Sequence, residues 1–436
     1  MKKNDIQKNI YTILIIIMLF IPLVKFISYA LYLSGIIKDS FSFNQVYVLW
    51  IFIPILIANY VYGIIAKKIR INYIDIIIYL LSILAIISTI FALDITKSIV
   101  GEVKRNEGLL TIICYYLLFL NSKYLNNEKW QKKLIGLFMI IGLFQVGYSV
   151  LQVYTNFSFI RHFRIPYMGM GLCANPNFFG SYMVMLSLLS TCLYIFNKQK
   201  KFLFLSVIYF IGLCIANSTA PLLAFIITFV FINILHFKKR ILKSSLIIFV
   251  LLTITFFTLD ASNRYTQTEV LNNTVQPKYI VSEEISEVIT KQSKIGSDRF
   301  AIWSNSLPIL KKYWITGAGL DNFYNAYILF SNSKVDKAHN VYLQIAVTNG
   351  IPALILYLII NAILFIKGFK FKQTLEISLY ACFVGYCVQA FVNISVIDVA
   401  PYFYIILGLL YSFKNNSFTL NKNANQVDNL KSSNFS

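Results

Sequence analysis

The chain has 436 residues, of which 58% are hydrophobic and only 13% charged, with 39 Lys and Arg against 18 Asp and Glu. Ordinary soluble domains carry about 25% charged residues, and disordered chains lack this much apolar side chain. Both classes are excluded, and an all-α polytopic membrane protein remains. The net charge of +21 is read as topology-setting charge beside membrane spans, not as a nucleic-acid surface.

Apolar runs long enough to suggest crossings, at about 20 residues each, fall near 10–33, 43–66, 73–92, 108–122, 133–154, 176–196, 202–217, 219–236, 241–259, 340–366, 376–392 and 399–413. The first follows Lys2, Lys3 and Lys8 but no small-residue cleavage site follows it. It is read as the first span and not as a signal peptide. Basic residues check the count. Alternate segments, starting from the N-terminus, hold 23 Lys and Arg, whereas the five opposite short loops hold 6. That bias predicts about twelve spans with both termini cytoplasmic.

The expected organisation is a bundle of nine spans over 1–259, a large extracytoplasmic loop over 260–339, three more spans over 340–413, and a disordered cytoplasmic tail over 414–436. The loop is too long for a simple connector. It shows two helical repeats, Val281, Ile285, Val288 and Ile289, then Phe300, Trp303, Leu307 and Leu310. Both read as short amphipathic helices, with Pro308 expected to bend the second.

Six cysteines lie mostly inside apolar runs without a C-x-x-C pair. Neither a disulfide framework nor a metal site is expected. No phosphate-binding loop motif occurs, and short cytoplasmic loops leave no room for a soluble nucleotide-binding domain. No cofactor is expected. If the chain handles sugars, a lipid-linked donor reached from the membrane suits it better than a nucleotide sugar. Only Lys25 and Asp75 lie plainly within spans. Ion-coupled transporters usually carry more such groups.

Four outer-face segments could carry chemistry. Ala338-His339-Asn340-Val341-Tyr342-Leu343-Gln344 places one of three histidines where the long loop enters an apolar helix. A helix N-terminus favours neutral imidazole, which can serve as a general base; an interfacial polar cap is the alternative. Arg299 begins the second amphipathic helix, and its guanidinium can fork onto phosphate oxygens; snorkelling to the surface is the alternative. The glycines of Thr316-Gly317-Ala318-Gly319 permit a tight turn near a ligand or a neighbouring helix. Gly101-Glu102-Val103-Lys104-Arg105-Asn106-Glu107-Gly108 holds basic residues on the side that should lack them, which suggests anion binding by Arg105 unless they pair with Glu102 and Glu107. Arg161, His162 and Arg164 precede Asn175-Pro176-Asn177, where Pro176 suits a first helical position. The two arginines face either a lipid phosphate or headgroups in general.

Together these segments resemble the O-antigen ligase/polymerase superfamily of bacterial membrane glycosyltransferases. The resemblance covers most of the chain. It is most specific in Arg299-x-x-x-Trp303, Gly317-x-Gly319, His339-Asn340-x-Tyr342-Leu343-Gln344 and Gly350. Arg105-x-Glu107-Gly108 and the Asn175-Pro176-Asn177 turn resemble it more loosely. The resemblance implies metal-independent transfer of a glycan from a polyprenyl pyrophosphate to a hydroxyl acceptor, on the outer face of the cytoplasmic membrane. His339 would be the base and Arg299 would neutralise the departing pyrophosphate. Arg105, Arg161, Arg164, Asn340, Tyr342 and Gln344 would bind pyrophosphate or glycan. One departure stands out: Thr219 occupies a position where many members carry arginine, so Arg105, Arg161 or Arg164 is expected to substitute.

The leading expectation is a polymerase of lipid-linked repeat units of a surface polysaccharide such as a capsule, exopolysaccharide or O-antigen. A flippase and a chain-length regulator are its expected protein partners. The alternatives are a ligase or protein O-oligosaccharyltransferase and, from another class, a lipid-linked glycan flippase or transporter.

Overall fold

The computed structural model describes residues 3–36, 45–103, 105–155, 168–173, 175–237, 239–273, 297–331 and 333–413. All regular structure among them is helical. The helices are α1 Lys3–Leu33, α2 Gln45–Ile65, α3 Tyr73–Ile90, α4 Ile95–Val100, α5 Leu109–Lys123, α6 Glu128–Tyr154, α7 Pro176–Asn197 and α8 Lys200–Ile215. They continue as α9 Thr219–Leu235, α10 Lys239–Asn273, α11 Ser297–Lys312, α12 Phe323–Tyr327, α13 Val341–Asn349, α14 Ile351–Gly368, α15 Thr374–Gln389 and α16 Ala400–Ser412.

By length and composition, seven of these (α1, α2, α3, α6, α7, α10 and α14) can cross a membrane. Each of the twelve apolar runs does contain a helix. Five of those helices are too short for the length criterion. α5, for example, has 15 residues, a rise of about 22 Å against a hydrocarbon core of about 30 Å. The outward faces are apolar. Ile51, Phe144, Leu223, Ile226, Ile234, Phe249, Ile254, Ile355 and Ile366 are all exposed. So much outward apolar surface is foreign to a water-soluble monomer, and its solvent is lipid. The chain is a membrane protein.

α7 is the central post. Its apolar window is wholly buried, and it packs on α6, α8, α9, α10 and α15. Small polar residues allow that closeness. The Thr191 hydroxyl lies 2.8 Å from that of Ser206 on α8, and the Ser190 hydroxyl donates to the Leu186 carbonyl. A second group joins α5 to α2, α3 and α16, and α15 touches α16. The Asn175-Pro176-Asn177 turn starts α7 as expected: Asn175 Oδ1 accepts from Asn177 N at 2.8 Å, with Pro176 in the first turn.

Two expectations change. The tenth apolar run is broken at Gly350, whose φ of +87° ends α13 and starts α14; a Cβ there would strike the Ile315 backbone. The ninth run does not end near 259, because α10 extends to Asn273. No Gly or Pro occurs between 241 and 276 to stop it. α11 contains Pro308 and continues through Lys312. The first amphipathic repeat, Val281–Ile289, and the 414–436 tail lie outside the described residues.

Buried charges are partnered. Lys123 Nζ lies 2.7 Å from Asp75 Oδ1. Lys25 Nζ lies 3.4 Å from Asp398 Oδ1, which also accepts from Gln45 Nε2 at 2.6 Å.

Candidate functional site

Three separate stretches converge at the entry to α13: the 101–108 loop, the 313–322 turn and residues 336–344. The link is a buried ion cluster centred on Lys337, which is only 2% exposed. Its ammonium lies 2.6 Å from Asp321 Oδ1 and 3.0 Å from Glu107 Oε2. Asp321 Oδ2 accepts from the backbone N–H groups of Glu102, at 2.7 Å, and Glu107, at 3.3 Å. One carboxylate therefore shapes the 101–108 loop while clamping the lysine beside His339. Burial pulls the Lys337 pKa down, but the Asp321 and Glu107 carboxylates outweigh it and hold the ammonium above its ordinary value.

The 313–322 turn lies against the end of α13. Ala318 N donates to Val347 O at 2.8 Å and Gly319 N to Thr348 O at 3.1 Å. Carbonyls at a helix end run out of intrahelical donors, and Thr348 O also accepts from the Ser88 hydroxyl at 2.6 Å. Gly317 has φ of +73°, and a Cβ on it would collide with the Thr348–Asn349 backbone. The Gly-x-Gly pair thus serves close backbone packing. Gly317→Ala is expected to lower stability by at least about 1–2 kcal/mol from its left-handed backbone alone, measured as a fall in thermal unfolding midpoint.

His339 sits in the connection, with φ of +49°. Its neighbours hold that conformation. Trp303 Nε1 on α11 donates to the Ala338 carbonyl at 3.0 Å, and Ala338 N donates to Gln344 Oε1 at 2.8 Å. Asn340 Oδ1 caps α13 by accepting from Leu343 N at 3.0 Å. Tyr342 donates its hydroxyl to the Cys387 carbonyl at 2.9 Å and lies against Phe391. Asn340, Tyr342 and Gln344 therefore spend polar groups on the backbone around the histidine. Asn340→Ala is expected to remove a helix cap worth about 1 kcal/mol, read as a lower unfolding midpoint.

His339 itself makes no hydrogen bond through its imidazole among the described residues, and it is half-buried. Burial lowers its pKa, and the Arg299 and Arg105 charges push the same way against the opposing Asp336 carboxylate. The imidazole is neutral at neutral pH. Arg299, half-buried at the start of α11, makes no ion pair among the described residues. It is the guanidinium left available beside His339.

Arg105 is committed otherwise. Its Nε and Nη2 both donate to Asp336 Oδ2, at 2.9 and 2.5 Å. It also lies 5.5 Å from the Phe178 ring centroid. Glu102 pairs with Lys97 at 2.6 Å. Arg105 thus meets an acid, though neither Glu102 nor Glu107, and Lys104 lies outside the described residues. Arg161, His162 and Arg164 lie outside the described residues. Thr219 begins α9 beneath the Ser218 hydroxyl, which donates to Asn177 Oδ1 at 2.6 Å. Lys337, Asp321 and Asp336 are not singled out by the sequence, and Glu107 figures there only as a local partner and within the Arg105-x-Glu107-Gly108 motif. Their signal was proximity to named motifs, two or three residues from His339 or Gly319.

Residues 204–358 match the family model described as O-antigen ligase. This segment is similar to an O-antigen ligase domain. The match supports the chain's resemblance to the O-antigen ligase/polymerase superfamily and a ligase- or polymerase-type function. It runs from α8 into α14, so it includes Arg299, Lys337 and His339, whereas the 101–108 loop lies outside it. No curated protein matches the chain.

Proposed function

We propose that the protein polymerises lipid-linked oligosaccharide repeat units on the outer face of the cytoplasmic membrane, without a metal ion. The observation that carries this reading is the neighbourhood of a neutral imidazole and a guanidinium that, among the described residues, have no hydrogen-bond or ion-pair partner. In the proposed step, His339 takes the proton from an acceptor hydroxyl as that oxygen bonds to the anomeric carbon. The bond from that carbon to the polyprenyl diphosphate breaks, and the electron pair leaves with the diphosphate. Arg299 stabilises the charge developing there.

Asn340, Tyr342 and Gln344 support the histidine turn in this reading and need not touch substrate. Arg105 acts through Asp336, whose carboxylate faces His339. Arg161 and Arg164 are proposed as further diphosphate contacts in place of the arginine absent at Thr219. The alternating distribution of basic residues supports twelve crossings, cytoplasmic termini and an extracytoplasmic site.

The family description favours a second reading, in which a finished glycan passes to a terminal acceptor. A deletion strain complemented with wild type or Arg299→Ala, at matched membrane levels, separates them. Wild type should restore long polymer, and Arg299→Ala should cut transfer by about 10²–10³ while lipid-linked units accumulate. Normal polymer length in the deletion strain, with glycan lost only from its final acceptor, would establish the ligase instead.

A further inference from the structure

Below the Lys337 cluster lies a cavity of about 70 Å³, walled by Tyr115, Tyr116, Tyr357, Tyr386 and Tyr404 together with Glu107 and Asn349. At about 10–15 Å³ per water-sized position, it has room for roughly five waters. Their liquid volume, about 30 Å³ each, corresponds to the bulk of a single sugar ring. Three polar atoms in its wall, Glu107 Oε1, Tyr115 Oη and Asn349 Oδ1, are fully buried yet have no hydrogen-bond partner among the described residues. The Ser395 side chain also hydrogen-bonds the Glu107 carboxylate, while Oε1 keeps no partner of its own among the described residues. Buried polar atoms normally have partners, and leaving one unpaired costs about 1–3 kcal/mol. Three in one cavity mark a place built for something that brings donors.

We propose that this cavity is a subsite for one hydroxylated sugar ring of the glycan. The chemistry selects that class. Glu107 Oε1 and Asn349 Oδ1 are acceptors, and sugar hydroxyls are donors. The tyrosine faces suit the C–H face of a pyranose, in the pattern of an apolar wall with few directed polar groups. Two carboxylates against one ammonium leave the wall net negative, so a diphosphate is repelled toward Arg299. A lipid chain would leave all three oxygens unpaired. The subsite rests on the glycan-transfer reading for its ligand, but its test does not depend on transfer.

The test uses the full chain in detergent and compares wild type with Tyr115→Phe and Asn349→Leu. Both substitutions keep side-chain bulk while removing an orphaned atom, so both should fold. Thermal unfolding is followed in 100 mM glucose, galactose or N-acetylglucosamine, with sorbitol at equal concentration as the control for general osmolyte stabilisation. At least one sugar should raise the wild-type midpoint above the sorbitol value by about 1–3 °C, as for a ligand near ten times its Kd. Each variant should lose most of that excess. No excess with any of the three sugars, or an excess that survives both substitutions, overturns the subsite and leaves a cavity filled by water. If the excess appears while wild type transfers no lipid-linked glycan, the subsite stands and the transferase reading falls.

Discussion

Lys337→Met should cost the protein about 3–5 kcal/mol of stability, because it leaves Glu107 and Asp321 as buried carboxylates without a counter-charge. The effect should exceed that of losing the more exposed Arg105–Asp336 pair, since partly solvated ion pairs contribute about 1 kcal/mol or less. The measurement is the unfolding midpoint of the detergent-purified chain, with membrane yield alongside. The triple variant Lys337→Met, Glu107→Gln, Asp321→Asn should recover much of the loss, because neutral amides no longer demand the ammonium. A Lys337→Met midpoint within 1 °C of wild type would show that the cluster does not join the three segments. The consequence for the site is geometric. Lys337 is two residues from His339, and Asp321 holds the 101–108 loop through its backbone, so releasing the ammonium frees the histidine turn on both sides.

The apolar runs were legible because a helix in lipid must satisfy its backbone internally and show apolar side chains outward. α3 and α9 match their predicted runs within two residues. The break at Gly350 was not legible as a span boundary, although Gly350 itself was singled out. Hydropathy continues straight through residues 340–366 and carries no information about backbone φ. The extension of α10 beyond 259 was hidden for the opposite reason: the polar residues 260–273 end the hydropathy signal but contain nothing that ends a helix.

Within the site, the separate motifs could be read but their connections could not. Arg105 pairs with Asp336, 231 positions away, and Glu107 pairs with Lys337, 230 positions away. Local spacing instead suggested that Arg105 paired with Glu102 or Glu107. The Arg105 charge in the 101–108 loop is thus matched by a long-range acid, Asp336. Arg299, by contrast, makes no ion pair among the described residues.

His339→Ala should reduce transfer by about 10²–10⁴, the range expected when a positioned general base is removed. The imidazole accepts no structural hydrogen bond among the described residues, so the unfolding midpoint should stay near that of wild type. The pH profile gives the sharper test. A base works only when unprotonated, so kcat/KM should fall as pH drops through the His339 pKa and level off above it. Burial, reinforced by Arg299 and Arg105, places that pKa below the ordinary histidine value of about 6.5. The acid limb should therefore lie below pH 6.5 in wild type. Arg299→Ala removes one of the charges that depress it, so the limb of the residual activity should move upward. Asp336→Asn removes the opposing carboxylate and should move it downward. Opposite displacements from these two substitutions would identify the titrating group as His339. Identical profiles in all three proteins would place the base on another residue.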